Sequence, residues 1–259
     1  MTWNPCVASA RDLVAASRVL VIAHRGDSRN APENTLPAFE SAAALGADFV
    51  ELDYLASADG VSVVFHDEFL DRTTDACSRW ADRQIPLASK TFAQLRELDA
   101  GSWFAPHFAG TRLSSLEQVL AAIAPRACLM IERKSGDAAS CVALLRSLGA
   151  IDRVTVHAFD WHFLRDCHEL CPELLLGALG DKQPNDLVLD AARALGASLV
   201  GWEAARLDEP AIAAIHARGL KAWAWTVDEP AEARRLLAAG VDGLISNVPG
   251  VMQRLVAER

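Results

Sequence analysis

Apolar runs of strand length alternate with helix-length amphipathic segments along this chain, the signature of repeated parallel β/α units. The strand candidates are VLVIAHR (19–25), DFVELDY (48–54), CLMIERK (128–134), VTVHAF (154–159), LLLGAL (174–179), SLVGW (198–202), KAWAWT (221–226) and DGLIS (242–246). Helical candidates include NTLPAFESAAALG, SSLEQVLAAIA, DAASCVALLRSLG, DLVLDAARALG, DEPAIAAIHARG and EPAEARRLLAAG, several opening on a capping residue and closing at Gly. Eight strands with intervening helices predict the α/β class and a (β/α)8 TIM barrel, and 259 residues suit one such barrel. With 51% hydrophobic residues and no linker-like tract, residues 1–259 read as a single domain.

One segment, ASADGVSVVFHDE, breaks the alternation, because its apolar run follows the second strand after only an Asp59-Gly60 turn. It predicts a hairpin. With Asp59 and Gly60 as the two loop residues, Ala58 faces Val61 and Asp53 stands opposite His66. The stretch from about 67 to 112 then reads as a long insertion carrying Trp80, Trp103 and Phe104, predicted to form a lid or a binding wall.

The charge balance, 25 basic against 34 acidic residues and a net charge of -9, argues against a nucleic-acid or anionic-membrane surface. A phosphate ligand therefore needs a local cationic site. Six cysteines at irregular spacings predict free thiols, and Cys167 and Cys171 lack a second pair of soft ligands. No run of 18 apolar residues and no basic, apolar-cored leader occurs, so the expectation is a cytoplasmic protein without a membrane anchor.

Side chains two apart on a strand share a face, so Glu51 and Asp53 present two carboxylates together, and Glu132 and Lys134 a carboxylate and an ammonium. In a (β/α)8 barrel the carboxyl ends of the strands form the reactive face, and His24, Arg25, Glu51, Asp53, Glu132 and Lys134 all fall at or near such ends. Taken singly, His24 reads as a satisfied core histidine, Glu33 as a helix-start charge, and Glu51 and Asp53 as a surface ion pair with Arg25; their convergence demands several coincidences. Three carboxylates meeting there repel one another unless a cation offsets them, and an oxygen-only donor set favours Mg²⁺ or Ca²⁺, with Mn²⁺ a further candidate. Arg25 and Lys134 supply what a phosphate needs, and His24 and His66 offer a general acid and a general base. Glu33 and Asn34 are assigned to capping the following helix and ordering the loop below His24, ahead of direct catalysis, and His157 is the further histidine placed to reach the pocket.

The ordered motifs HRG, PENT, GADFVELD, ADGVSVVFHDEFLDRTT, ELDAGSWF, IERK, AWAWTVD and AAGVDGLISNVP resemble the glycerophosphodiester phosphodiesterase family from about residue 19 to 250. The resemblance implies catalytic His24 and His66, a divalent metal on Glu51, Asp53 and Glu132, phosphate contacts from Arg25 and Lys134, and Trp225 against the substrate. It also implies metal-dependent hydrolysis of glycerophosphodiesters to sn-glycerol 3-phosphate and an alcohol. Three departures bear on substrate choice: Ala158 where the family often has Ser, Asp228 where Asn is usual, and ISNVP in place of Thr-Asp-aromatic-Pro. The alternatives are lysophospholipase D activity, with an apolar wall from Trp80, Trp103 and Phe104, and a non-catalytic phosphate-ligand binding barrel needing neither histidine.

Overall fold

In the computed structural model, which describes residues 8–258, eight parallel strands close on themselves. They are β1 (Leu20–Ala23), β2 (Phe49–Ala56), β4 (Cys128–Arg133), β5 (Val154–Ala158), β6 (Leu175–Gly180), β7 (Leu199–Glu203), β8 (Lys221–Trp225) and β9 (Gly243–Ser246), with β3 (Ser62–Val64) antiparallel on β2. The order runs β1-β9-β8-β7-β6-β5-β4-β2, and a β1–β2 pairing completes the ring. The helices are α1 (Ala10–Ala15), α2 (Leu36–Ala44), α3 (Ala76–Trp80), α4 (Phe92–Leu95), α5 (Leu116–Ile123), α6 (Ala138–Ser147), α7 (Trp161–Leu170), α8 (Asp186–Ala194), α9 (Glu209–His216), α10 (Pro230–Ala239) and α11 (Pro249–Ala257). Among the described residues no helix is long and apolar enough to cross a membrane.

The period-two alternation of each strand divides the core into two layers. Inward positions such as Leu20, Ile22, Phe49, Met130, Leu199, Trp223 and Ile245 pack a column inside the barrel, floored by Ala10 and Val14 of α1. Outward positions such as Val50, Leu52, Leu129, Ile131, Val156 and Val200 meet the helical ring. α5 shows why the ring forms. Ser115 and Gln118 close a capping box, worth about 1 kcal/mol, and Leu116, Val119, Leu120 and Ile123 make one buried stripe at helical spacing.

The hairpin differs from the sequence-based expectation by one residue. Tyr54 pairs with Val64 and Ala56 with Ser62, and the Phe65 N–H donates to the Asp53 carbonyl at 3.0 Å, so Asp53 stands opposite Phe65 and not His66. The cause is a three-residue loop: the Ser57 N–H donates to the Val61 carbonyl at 2.9 Å, and Gly60 takes φ +80°. A one-residue shift inside a strand reverses every side chain, but His66 lies past the end of β3 and escapes that consequence.

The insertion builds a satellite core on Leu55 and its register partner Val63, which continue the face of Phe49, Glu51 and Asp53 on β2 beyond the barrel rim, with Phe65, Leu70, Leu87, Leu95 and Leu98 buried around them. Trp80 lies beneath the Lys90 ammonium, 4.5 Å from its ring centroid, and Trp103 donates to the Ala100 carbonyl at 2.9 Å and packs edge-on to Phe104. Cys77, Cys128, Cys141, Cys167 and Cys171 are free thiols; Cys6 lies outside the described residues.

Candidate active site

Above the apolar column, at the carboxyl ends of the strands, the barrel opens into a cavity of about 200 Å³. His24, Arg25, Glu51, His66, Glu132 and Lys134 make its polar side, and Met130, Phe159, Leu179, Trp225, Thr226 and Ile245 its mainly apolar side. Strand periodicity puts them there. His24, Glu51, Glu132, Phe159, Leu179, Trp225 and Ile245 continue the inward-facing positions of their strands. Asp53 sits behind the wall, 1% exposed, within the same carboxylate cluster.

Asp53 and Glu132 are register partners across β2 and β4, and one oxygen from each of Glu51, Asp53 and Glu132 lies within 4.8 Å of the others. Lys134 Nζ pairs with Glu132 and lies 3.3 Å from Asp53 Oδ1, while Arg25 Nε lies 3.4 Å from Asp53 Oδ2. These two cations do not offset three carboxylates, two of them buried and the third partly so. Burial, then the charges of Asp53 and Glu132, push Glu51 well above the usual carboxylate range, and burial with Asp53 pushes Glu132 up to about 7. Burial would raise Asp53 as well, but Lys134 and Arg25 hold it below its ordinary value. Uncompensated negative charge on hard oxygen donors, with no sulfur or imidazole among them, fits a divalent cation.

Two left-handed residues shape this cluster. Arg25, at φ 55°, turns its backbone N–H to Glu51 Oε2 at 2.6 Å. Asn34, at φ 56°, donates from Nδ2 to Asp53 Oδ2 at 2.9 Å and accepts the Asp53 N–H on Oδ1 at 3.1 Å. Asn34 is thus a brace for Asp53, and the expected helix cap is corrected: Thr35 is the N-cap of α2 and makes no side-chain cap bond. Glu33 also departs from that expectation, pairing with Arg25 and Arg72 at 2.8 and 2.7 Å.

The histidines are held by different partners. His24 Nδ1 lies 2.7 Å from Asn247 Oδ1, and Asp228 fixes the amide by accepting from Asn247 Nδ2 at 2.7 Å and from its backbone N–H at 2.8 Å. His66 Nδ1 lies 2.6 Å from Asp67 Oδ1. In both rings Nδ1 is engaged, which leaves Nε2 for a ligand. Burial and the nearby Arg25 charge lower His24 to about 4, so its ring is neutral at pH 7.

Several expectations are corrected. Ala158 faces the helical ring and not the cavity, so it removes no hydroxyl from the site. His157 is fully buried below it, stacked 5.6 Å from Trp223 with Nε2 3.0 Å from Thr155 Oγ1. Trp80, Trp103 and Phe104 do not line the cavity; its apolar side comes from barrel positions instead. Asp228 and Asn247 brace His24, so these two departures from the family pattern bear on the histidine and not on substrate contact alone. The sequence alone assigns no role to Asp67 and Arg72, although both fall inside the ADGVSVVFHDEFLDRTT motif, or to Phe159, which ends the strand candidate VTVHAF.

The Glycerophosphoryl diester phosphodiesterase family profile matches residues 24–251. A glycerophosphodiester phosphodiesterase of Caldanaerobacter subterraneus subsp. tengcongensis is 35% identical over 249 residues, covering 92% of this chain and 98% of its own. One from Bacillus subtilis is 33% identical, covering 96% and 90%. Among solved structures, an Oleispira antarctica phosphodiesterase in complex with the product sn-glycerol-3-phosphate superposes with TM-score 0.86 at 27% identity, covering 94% of this chain and 99% of that one. With the profile spanning the barrel from His24 to α11, and with relatives of that identity covering nearly the whole chain, this chain belongs to the glycerophosphoryl diester phosphodiesterase family.

Proposed function

We propose that the protein hydrolyses glycerophosphodiesters to sn-glycerol 3-phosphate and an alcohol, with His24 as general base and His66 as general acid. The observation that carries this reading is the pair of imidazoles on one cavity, each with Nδ1 engaged, beside buried carboxylates and two cations. The neutral amide of Asn247 suits a ring that starts unprotonated and accepts a proton. The carboxylate of Asp67 supplies a counter-charge for a ring that starts as imidazolium and donates one.

The roles follow from that difference. Nε2 of His24 takes the proton of the nucleophile, water or the glycerol 2-hydroxyl, as its oxygen bonds to phosphorus. The electron pair of the breaking P–O bond goes to the departing oxygen, which His66 protonates from Nε2. With the 2-hydroxyl as nucleophile, water opens the cyclic phosphate in a second step with the two roles exchanged. Arg25 and Lys134 orient the phosphate, and Trp225 and Phe159 face the alcohol or glycerol carbons. Glu51, Asp53 and Glu132 would hold one divalent cation, Mg²⁺ or Ca²⁺ with Mn²⁺ a further candidate, which when bound polarises the phosphodiester and offsets charge on its oxygens.

A water-soluble diester is favoured over a lysolipid because Trp80, Trp103 and Phe104, the aromatic residues expected to wall an acyl chain, do not line the cavity. The test is a substrate panel with the cation-loaded protein. Release of glycerol 3-phosphate from glycerophosphocholine and glycerophosphoethanolamine, well above turnover of lysophosphatidylcholine, is expected. Turnover dominated by the lysolipid would overturn the substrate assignment.

A further inference from the structure

Arg72 lies outside the cavity, yet one guanidinium joins the partner of His66 to the partner of Arg25. Its Nε and Nη2 donate to Asp67 Oδ2 and Oδ1 at 2.6 and 3.0 Å. Its Nη1 and Nη2 donate to Glu33 Oε2 and Oε1 at 2.8 and 2.7 Å. Asp67 in turn takes His66 Nδ1 at 2.6 Å, and Glu33 takes Arg25 Nη1 at 2.8 Å. A planar fork that engages two carboxylates bidentately fixes their positions and their planes, which a lysine ammonium does not do.

We propose that Arg72 is a positioning residue for leaving-group protonation, holding Asp67 so that His66 presents Nε2–H to the departing oxygen. This rests on the reading of His66 as the general acid. Without the guanidinium, Asp67 and Glu33 keep only His66 and Arg25 as partners and repel each other as like charges, and Asp67 turns toward water, loosening its hold on the ring. Burial, the largest single influence, would raise both carboxylates, but Arg72 together with Arg25 at Glu33, and Arg72 together with His66 at Asp67, bring each down to about 2, so both stay ionised across the working range.

The competing account makes Arg72 a staple that ties the start of the insertion to the loop before α2. The two differ in which step they affect. An alkoxide cannot leave unless His66 gives it a proton, whereas p-nitrophenolate leaves as the anion with no proton transferred. A staple affects both leaving groups alike; a positioning residue affects chiefly the alkoxide.

The experiment compares kcat of cation-loaded wild type, Arg72→Gln, Arg72→Lys and Asp67→Asn on glycerophosphocholine and on the p-nitrophenyl ester of glycerol 3-phosphate, with thermal melts of each. Arg72→Gln should lose about 10- to 100-fold on the choline ester and less than about 3-fold on the nitrophenyl ester, with Asp67→Asn showing the same split and Arg72→Lys recovering only part. Equal losses on the two esters in Arg72→Gln and Arg72→Lys would overturn the proposal in favour of the staple. Asp67→Asn leaves the Glu33 arm of the bridge in place, so the split remains readable if Arg72→Gln fails to fold. His66→Ala separates the two levels of the argument: a leaving-group split there with none in the Arg72 variants rejects the bridge alone. Equal losses in His66→Ala reject the acid assignment and the bridge with it.

Discussion

Asn247 presents an amide oxygen, not a carboxylate, to Nδ1 of His24 at 2.7 Å, and Asp228 determines which end of that amide faces the ring. The negative charge of Asp228 thus stands one residue back from the imidazole. His24 keeps an oriented lone pair on Nε2 without a directly paired anion, and its value of about 4 leaves the base form dominant at neutral pH.

Replacing that amide by a carboxylate should move the pH profile in a defined direction. In Asn247→Asp combined with Asp228→Asn, which avoids setting a second carboxylate against Asp228, the new anion stabilises the imidazolium of His24, so the ring stays protonated to higher pH and the base form is lost earlier on acidification. The acid limb of kcat against pH should shift upward by about one unit or more. An unchanged limb would remove His24 from the proton-transfer step.

The carboxylate cluster predicts a pH-dependent stability that a bound cation removes. Glu132 titrates near 7 in the folded chain, above its ordinary carboxylate value, so the folded state binds the extra proton and stability falls as pH rises through that value. His24 acts in the opposite direction, but only below its ordinary value near 6.5, where its unfolded form takes up a proton first. Between pH 6.5 and 8, chelator-stripped protein should therefore lose roughly 1 kcal/mol, about 2–4 °C in Tm. Melts with saturating Mg²⁺ or Ca²⁺ should be flat over the same window. A pH-independent Tm in EDTA would show that the cluster carries no excess charge.

Trp225 and Phe159 meet edge to face at 5.9 Å on the apolar side of the cavity, and Phe159 is 48% exposed at its mouth. Exposure of a large ring beside a cationic phosphate site suits contact with carbon atoms of the substrate. Phe159→Ala and Trp225→Ala should raise KM for glycerophosphocholine by about 5- to 20-fold with a smaller change in kcat. Steady-state kinetics check this, and a loss confined to kcat would place the rings in the chemical step instead.

Much of this architecture was legible because strand geometry converts spacing directly into direction. Glu51 with Asp53, and Glu132 with Lys134, could be placed on one face from a period of two, and the end of an apolar run marked where they meet solvent. The hairpin register was not legible, since ADG closes equally well as a two- or a three-residue loop until the hydrogen bond from Ser57 to Val61 selects one. The bracing residues were hidden for a different reason. Asn247 reaches His24 across 223 positions of sequence, and Arg72 reaches Glu33 across 39, so no local pattern announces either contact.

The most direct measurement of the central claim is release of glycerol 3-phosphate from glycerophosphocholine by wild type, His24→Ala and His66→Ala, in EDTA and then with Mg²⁺, Ca²⁺ or Mn²⁺ restored. The account predicts wild-type turnover that EDTA abolishes and at least one cation recovers, with each histidine variant slower by about 10²- to 10⁴-fold under the restored condition. Turnover within a few-fold of wild type in either folded variant, or activity indifferent to EDTA, would contradict it.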